Sequence, residues 1–421
     1  MRILVCNSAF LFGAGGRRLL LGVGAALLTG SRQPIGLLAG FAPAATQLPA
    51  DSGSAPLVWS PGTLPPTDLL VPPARLHPLR IVKSGVPIYK SNNPEVFSGT
   101  GWLMQNARRD ASRGGRRQYL TGRNVLYLFH INKSGTPKYL HVLAANPSTR
   151  PTSVTYRGSC YTNATFPLTG AATGPSYHVA HDWLTGTFPV AGTTGDFGRG
   201  MVQELFRTAL ANSNMVDGRL EVTSTKPTVY YVVVTAGGTL AEATAAAQGA
   251  GAAGEYYPED ANRFGREAGI YASSEVSADN TLDLPAGPAY LGFCLNTTSK
   301  FAPVENQTAD SLMTLKAAAS RTYGNYGHHY RLTFRLRNAT STSRKVRVYF
   351  ASNATNPARS NATWNGPVRA DTTIVAVYTT LNKPRIVLSE WTIAPGQSRH
   401  TIEFYVPGLI TTNQQLIFQV M

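Results

Sequence analysis

From about Gly269 to the C-terminus, the chain is a succession of short runs that are apolar throughout or at every second residue. Tyr330–Arg337, Lys345–Ala351, Thr373–Tyr378, Arg385–Leu388 and Thr401–Val406 are such runs. Turn-forming residues part them at Asn338, Asn365-Gly366, Asn382-Lys-Pro384 and Pro395-Gly396. Side chains on a strand alternate between two faces, so this pattern, repeated at this spacing, specifies stacked sheets. The first half carries the same signal. Val125–Ile131 is apolar on both faces and suits a central strand, Lys133–Pro137 is a turn, and Tyr139–Ala144 returns as its partner. Asn146-Pro147 turns the chain again into Thr152–Arg157, and Thr228–Thr235 is the clearest buried strand. The expectation is a mostly β protein with two β-sandwich-like domains, immunoglobulin-like or jelly-roll-like, at 79–236 and 269–421. Only 14% of residues are charged while Gly (40) and Pro (28) abound, which suits turns better than long surface helices.

A short helical insertion is expected at 237–268, lying between the two sandwiches. Thr239-Leu-Ala-Glu242 has the form of a capping box, the Ala-rich run to Gln248 continues it, and Gly249 to Gly254 end it. Pro258-Glu-Asp260 suggests the start of a second short helix. Met201–Leu210 carries apolar residues close to a 3.6 period and reads as a helix. Residues 166–198, rich in Gly, Thr and Pro, read as a long loop.

The N-terminus has the form of an export signal over 1–44. Arg17-Arg18 precede the apolar core Leu19–Leu28, and a small-residue cleavage site follows at Ala42-Pro-Ala44. A proline-rich linker is expected over 45–78. Net charge is +16. The signal holds four of the 38 basic residues and none of the acids, so 34 basic residues remain against 22 acidic, a balance of +12. Such an excess favours anionic partners. In an exported protein these are anionic envelope polysaccharide first, with peripheral contact to lipid head groups next and nucleic acid not expected. The expected location is therefore extracytoplasmic: periplasm, outer envelope or secreted.

Cys6 falls in the signal, leaving Cys160 and Cys294. Either they form a disulfide joining the two halves or they are two buried thiols. No C-x-x-C occurs, which removes thiolate zinc and thioredoxin-like chemistry.

Several blocks carry a resemblance. They are Ser91-Asn-Asn-Pro-Glu-Val96 with Thr100-Gly-Trp-Leu103, Asn124–Leu128 leading to Ala145-Asn-Pro147, and Gly324-Asn-Tyr-Gly-His-His-Tyr330 followed by Leu332-Thr-Phe334 and Asn338-Ala-Thr340. In their order the chain resembles a cyanobacterial family of secreted proteins known only as a domain of unknown function, marked by a G-N-Y-G-x-H-Y block. The resemblance implies an extracytoplasmic, β-rich protein and no reaction, ligand or catalytic residue.

Two segments stand out as contact sites. Arg108, Arg109, Arg113, Arg116, Arg117 and Arg123 fall within 16 residues that hold one acid, and the guanidinium fork suits carboxylate and phosphate groups. Asn325, Tyr326, His329 and Tyr330 would offer rings and an amide to a sugar; the competing reading makes the same block a structural turn. Strand alternation sets His328 and Tyr330 on one face and His329 on the other, so the two imidazoles do not converge on one metal. His178, His181 and Asp182 have conceivable metal spacing, but Gly174-Pro175 and Gly186 suggest a loop there. Asn-x-Ser/Thr runs, as at Asn163, Asn338, Asn353 and Asn361, read as strand ends. There is no G-x-S-x-G elbow, no H-E-x-x-H and no paired carboxylates. No catalytic residue, metal or cofactor is assigned. The leading reading is a non-enzymatic envelope protein that binds or scaffolds anionic polymer; the alternative is a hydrolase of envelope polysaccharide.

Overall fold

The computed structural model describes residues 57–64, 70–107, 118–298, 305–315, 318–352, 362–380, 382–408, 410 and 413–421. The expected export signal and the arginines from 108 to 117 lie outside these. Strand makes up 54% and helix 7%, in several sheets with sandwich-like packing, as expected.

The spine of the first assembly is the strand Met215–Thr235. Up to Ser224 it pairs antiparallel with Leu120–Asn132 on one side and Val154–Thr162 on the other. From Val229 it pairs instead with Lys138–Ala145, and from Tyr231 also with Gly101–Gln105. Pro227 lies at the changeover; it has no N–H to give a ladder, so the strand leaves one layer and enters the next there. Val216, Leu220 and Val222 from the first half then share a core with Tyr230, Val232 and Val234 from the second.

The second assembly is a sandwich of two six-stranded sheets. In one, His329–Asn338 lies between Glu275–Asp283, parallel, and Gly396–Tyr405, antiparallel. In the other, Gln414–Val420 lies between Ala289–Leu295 and Arg344–Ser352. Their inner faces meet in one core, where Phe334 and Phe418 sit 4.7 Å apart and Trp364 is fully buried.

The boundaries at 236 and 269 do not separate these assemblies, because strands cross between them. Ile81–Ser84 pairs with Glu275–Asp283 in the second assembly, while Ala268–Tyr271 pairs with Ile88–Ser91 in the first. The expected linker is also partly built in: Ser60–Pro61 and Leu76–His77 both pair with Ala289–Leu295, and Val71 is buried. Gly53–Met421 accordingly forms one compact unit.

Five local expectations are corrected. Val202–Leu210 is a strand, not a helix. A bulge opposite Leu143 and Val142 gives it one extra residue, so its apolar positions step out of period two and imitate a helix. Within the expected loop 166–198, Pro175–Thr185 is a helix, α1. Pro175 occupies its first turn and Gly186 closes it in the left-handed conformation, so the residues read as loop signals are its start and stop. Asn365-Gly366 is not a turn but lies inside the strand Ala362–Ala370, where a Cβ on Gly366 would meet Pro407 at 2.8 Å. Pro258–Asp260 starts no helix; Asp260 and Arg263 close a bridge instead. The second helix, α2 (Leu240–Gln248), has its capping box formed as expected. It does not lie between the assemblies. Ala243 and Ala247 pack it on Leu143 and Val233, within the first assembly.

Three turns share one device. The Asn132, Asn146 and Asn338 side chains each accept from the N–H two residues on and donate to the carbonyl four residues on. Each also donates across to a distant backbone carbonyl, at Leu210, Phe197 and Ile393 respectively. All three are buried, so the amide replaces backbone partners that the turn loses. Asn338→Asp keeps the shape but replaces two donated bonds with a carboxylate oxygen facing carbonyls. It is expected to cost about 2 kcal/mol or more in denaturant unfolding, exceeding Asn338→Ser.

Candidate functional site

The glycine- and aromatic-rich block is a buried turn. Gly327 has φ 74°, and a Cβ there would lie 2.5 Å from the Tyr127 ring, so only glycine fits. Asn325 is fully buried; its amide donates to Gln307 O at 3.1 Å and to the Tyr330 hydroxyl at 2.9 Å. Tyr330 is fully buried and stacks on Phe404, centroids 4.8 Å apart. Tyr326 is half-buried, with its hydroxyl donating to Ile410 O. His328 is also buried, and burial, with Lys90 adding, holds its pKa well below the ordinary value. Of the four residues expected to face a sugar, Asn325 and Tyr330 are buried, while Tyr326 and His329 keep partial exposure. The alternation that parts His329 from His328 and Tyr330 is as expected.

His329 opens onto a ladder of rings and guanidinium groups where the two assemblies meet. It stacks on Tyr405 at 4.4 Å and 9°. The Arg219 guanidinium lies over Tyr405 at 4.8 Å and over Trp183 at 3.8 Å. Trp183, on α1, also contacts Phe188 at 4.8 Å, and Arg157 lies over Phe188 at 4.9 Å. Arg219 is nearly fully buried, and its Nε donates to Gly327 O at 2.9 Å. Glu403 accepts from His329 at 2.7 Å and from Arg369, whose Nη1 donates to Leu184 O at the end of α1. Burial alone would raise the Glu403 pKa, but these two donors outweigh it and hold the carboxyl at about 2.

At the open end of the ladder Arg157 meets the one arginine of the expected cluster that is described. Arg157 donates to Glu221 at 3.0 Å, and Arg123 lies 4.0 Å from the other oxygen of the same carboxylate. Both guanidinium groups are more than half exposed, at 53% and 57%, so two cations share one acid at this face. At the closed end Asp217 is fully buried, and burial raises its carboxyl to about 7 despite neighbouring hydroxyls and a bond from Gly408 N. Lys90, also fully buried, has its pKa lowered to about 8 by burial, with Glu267 at 3.8 Å opposing.

Three arrangements resemble catalytic ones. His141 bonds Glu204 at 2.6 Å through Nδ1 and Thr235 at 2.8 Å through Nε2. The Thr235 hydroxyl gives its own proton to Gly237 O, so the imidazole is not set to take it. Ser91 and His130 lie 2.8 Å apart and Nδ1 bonds Pro94 O, but both residues are wholly buried. Burial lowers the His130 pKa to about 4. On α1, Asp182 accepts from Tyr161 at 2.6 Å, His178 stacks on Phe166 at 3.4 Å and His181 on Tyr177. Among the described residues, no three His, Cys, Asp or Glu side chains gather to hold a metal ion. Cys160 and Cys294 are free thiols, not a disulfide. Cys160 belongs to the first core, while Cys294 is in the second assembly and its thiol donates to His77 O.

Arg157, Trp183, Arg219, Glu221 and Tyr405 went unremarked in the sequence. Strand register sets Arg157 opposite Glu221 and Arg219 opposite Tyr127, while Trp183 comes from α1 and Tyr405 from the second assembly.

Residues 248–365 match a family model described as protein of unknown function (DUF3370). No curated protein matches. Among solved structures the chain is similar to Lac15 from a marine microbial metagenome, at 9% identity and TM-score 0.12, covering 78% of this chain and 61% of that one. It thus spans 61% of that protein's length. It is also similar to a blue copper oxidase from Nitrosomonas europaea, at 10% identity and TM-score 0.10, covering 76% and 75%. Likenesses this distant carry no argument about this chain.

The Glu403 site has a pH signature. Its folded pKa lies below the ordinary 4.5, so its contribution to stability is full above 4.5 and is lost as pH falls toward about 2. Denaturant unfolding across that window should show wild type losing more stability than Glu403→Gln.

Proposed function

We propose that this is an exported cell-envelope protein without enzymatic activity, which binds or scaffolds anionic envelope polymer. The observation that carries the reading is the exposed face where Arg123 and Arg157 share the single carboxylate of Glu221. A surplus guanidinium at an open surface is a ready partner for carboxylate or phosphate. The sequence adds five arginines at 108–117, a few residues before Arg123. The hydrolase alternative gains nothing from the described residues, whose imidazole–carboxylate pairs are held by structural partners.

Alginate, an acidic polysaccharide, serves as the probe. Binding to the mature chain should weaken steeply with added salt. Arg123→Ala with Arg157→Ala should cost about 1 kcal/mol for each guanidinium removed. Arg113→Ala, Arg116→Ala and Arg117→Ala together should abolish it, and His178→Ala should leave it unchanged. Glu221→Gln, which frees both guanidinium groups, should strengthen binding. Salt-insensitive binding, or release of shortened chains from the polymer, would overturn the reading.

A further inference from the structure

The sheet that holds His329–Asn338 ends on one side at the strand Thr373–Thr380. A strand at the end of a sheet leaves a row of backbone N–H and C=O groups open to another chain. The other long edges of this molecule are guarded. Val202–Leu210 carries Glu204 and Arg207, and Arg385–Ile393 carries Arg385 and Glu390. Ala289–Leu295 is covered by Ser60–Pro61 and Leu76–His77. Thr373–Thr380 is eight residues of Thr, Ile, Val, Ala and Tyr, with no charge and no proline.

Its pairing fixes which groups are open. Ala370 and Thr373 flank a two-residue hairpin turn, entered through Asp371 at φ 53°, and so exchange both backbone bonds. Bonded pairs alternate along an antiparallel ladder, which puts the next at Val368–Val375 and Gly366–Val377. Ile374, Ala376 and Tyr378 therefore turn their N–H and C=O outward. Pro367, which has no N–H, stands opposite Ala376, as this pattern requires. Among the described residues, no backbone bond outside the hairpin reaches any of the three. Val375 and Val377 pack inward on the core, leaving Ile374, Ala376 and Tyr378 on the outer face, with Ala376 exposed.

We propose that this edge pairs antiparallel with the same edge of a second copy, about a two-fold axis through Ala376. In that register Ala376 meets its symmetry mate, and Ile374 meets Tyr378, a β-branched side chain against an aromatic one. The three outward residues of each strand then meet as bonded pairs, so the open groups from Ile374 to Tyr378 all gain partners. Charge at the ends agrees. Thr380 faces Thr372 of the other copy, so Lys383, bonded to Thr380 through both backbones, comes beside the other copy's Asp371. The contact joins two six-stranded sheets into one and closes on itself as a pair. Such pairing is independent of polymer binding.

Sedimentation of the full chain over a concentration series, with variants of the edge, tests this. The mass should rise from one chain to two and no further. Ala376→Lys sets two cations against each other at an exposed position. It should raise the dimer dissociation constant roughly tenfold or more and leave the circular-dichroism spectrum unchanged. Ala376→Cys should cross-link the dimer under mild oxidation, because bonded pairs hold their Cα atoms about 5.5 Å apart. Thr373→Cys, whose mate in this register is Thr379, should not. A chain that stays monomeric, with or without a strand of another protein on this edge, would overturn the proposal. So would a dimer indifferent to Ala376→Lys, association beyond two chains, or cross-linking through Thr373→Cys.

Discussion

A guanidinium almost removed from water holds this molecule's centre together. Arg219 belongs to the spine strand of the first assembly, but its contacts come from elsewhere: Trp183 on α1, Tyr405 at the edge of the second assembly, and the carbonyl of Gly327 in the glycine-rich turn. Burying a cation is costly, and ring faces with one well-placed acceptor offset that cost only when all are present together. The docking of α1 and the shape of the turn are therefore coupled: displacing either would leave a charge stranded in a dry space. Trp183 strengthens the coupling, because its ring nitrogen donates to the carbonyl of Arg219 itself.

The same economy accounts for the acids and imidazoles. Glu403, Asp182, Glu204 and Glu267 each answer a specific donor. Perturbed groups such as Asp217, Lys90 and His130 owe their shifts chiefly to burial. Perturbed titration often marks a reaction centre, but here it coincides with seams between packed elements, which also shift such groups. The exposed chemistry of the ladder's open end is of a different kind: two arginines and one shared carboxylate.

Much of the fold was legible because period-two patterning reports burial directly. The runs around Val125, Thr228, Tyr330, Lys345 and Thr401 are all strands, and the Thr239–Glu242 cap starts a helix. Errors arose where a local signal had two meanings. A bulge at Leu205 mimicked helical spacing, and Pro175 and Gly186 punctuate a helix as well as a loop. The glycine-aromatic block was legible as a turn, yet only packing could reveal that His328 and Tyr330 are buried. Arg123 was legible as a cation. Its partners Glu221 and Arg157 were not, because strand register is set by the whole sheet and not by neighbouring residues.

The crossing of strands between the assemblies has a consequence for how the molecule comes into being. A polypeptide emerges from the ribosome N-terminus first, and units usually close as they appear. Here Ile81–Ser84 appears early but finds no mate until Glu275–Asp283 has followed. The sandwich it joins also waits for Gln414–Val420, which fills the middle of the opposing sheet. Such a chain cannot mature in instalments, and its unmated early strands need shelter from one another until synthesis is nearly done.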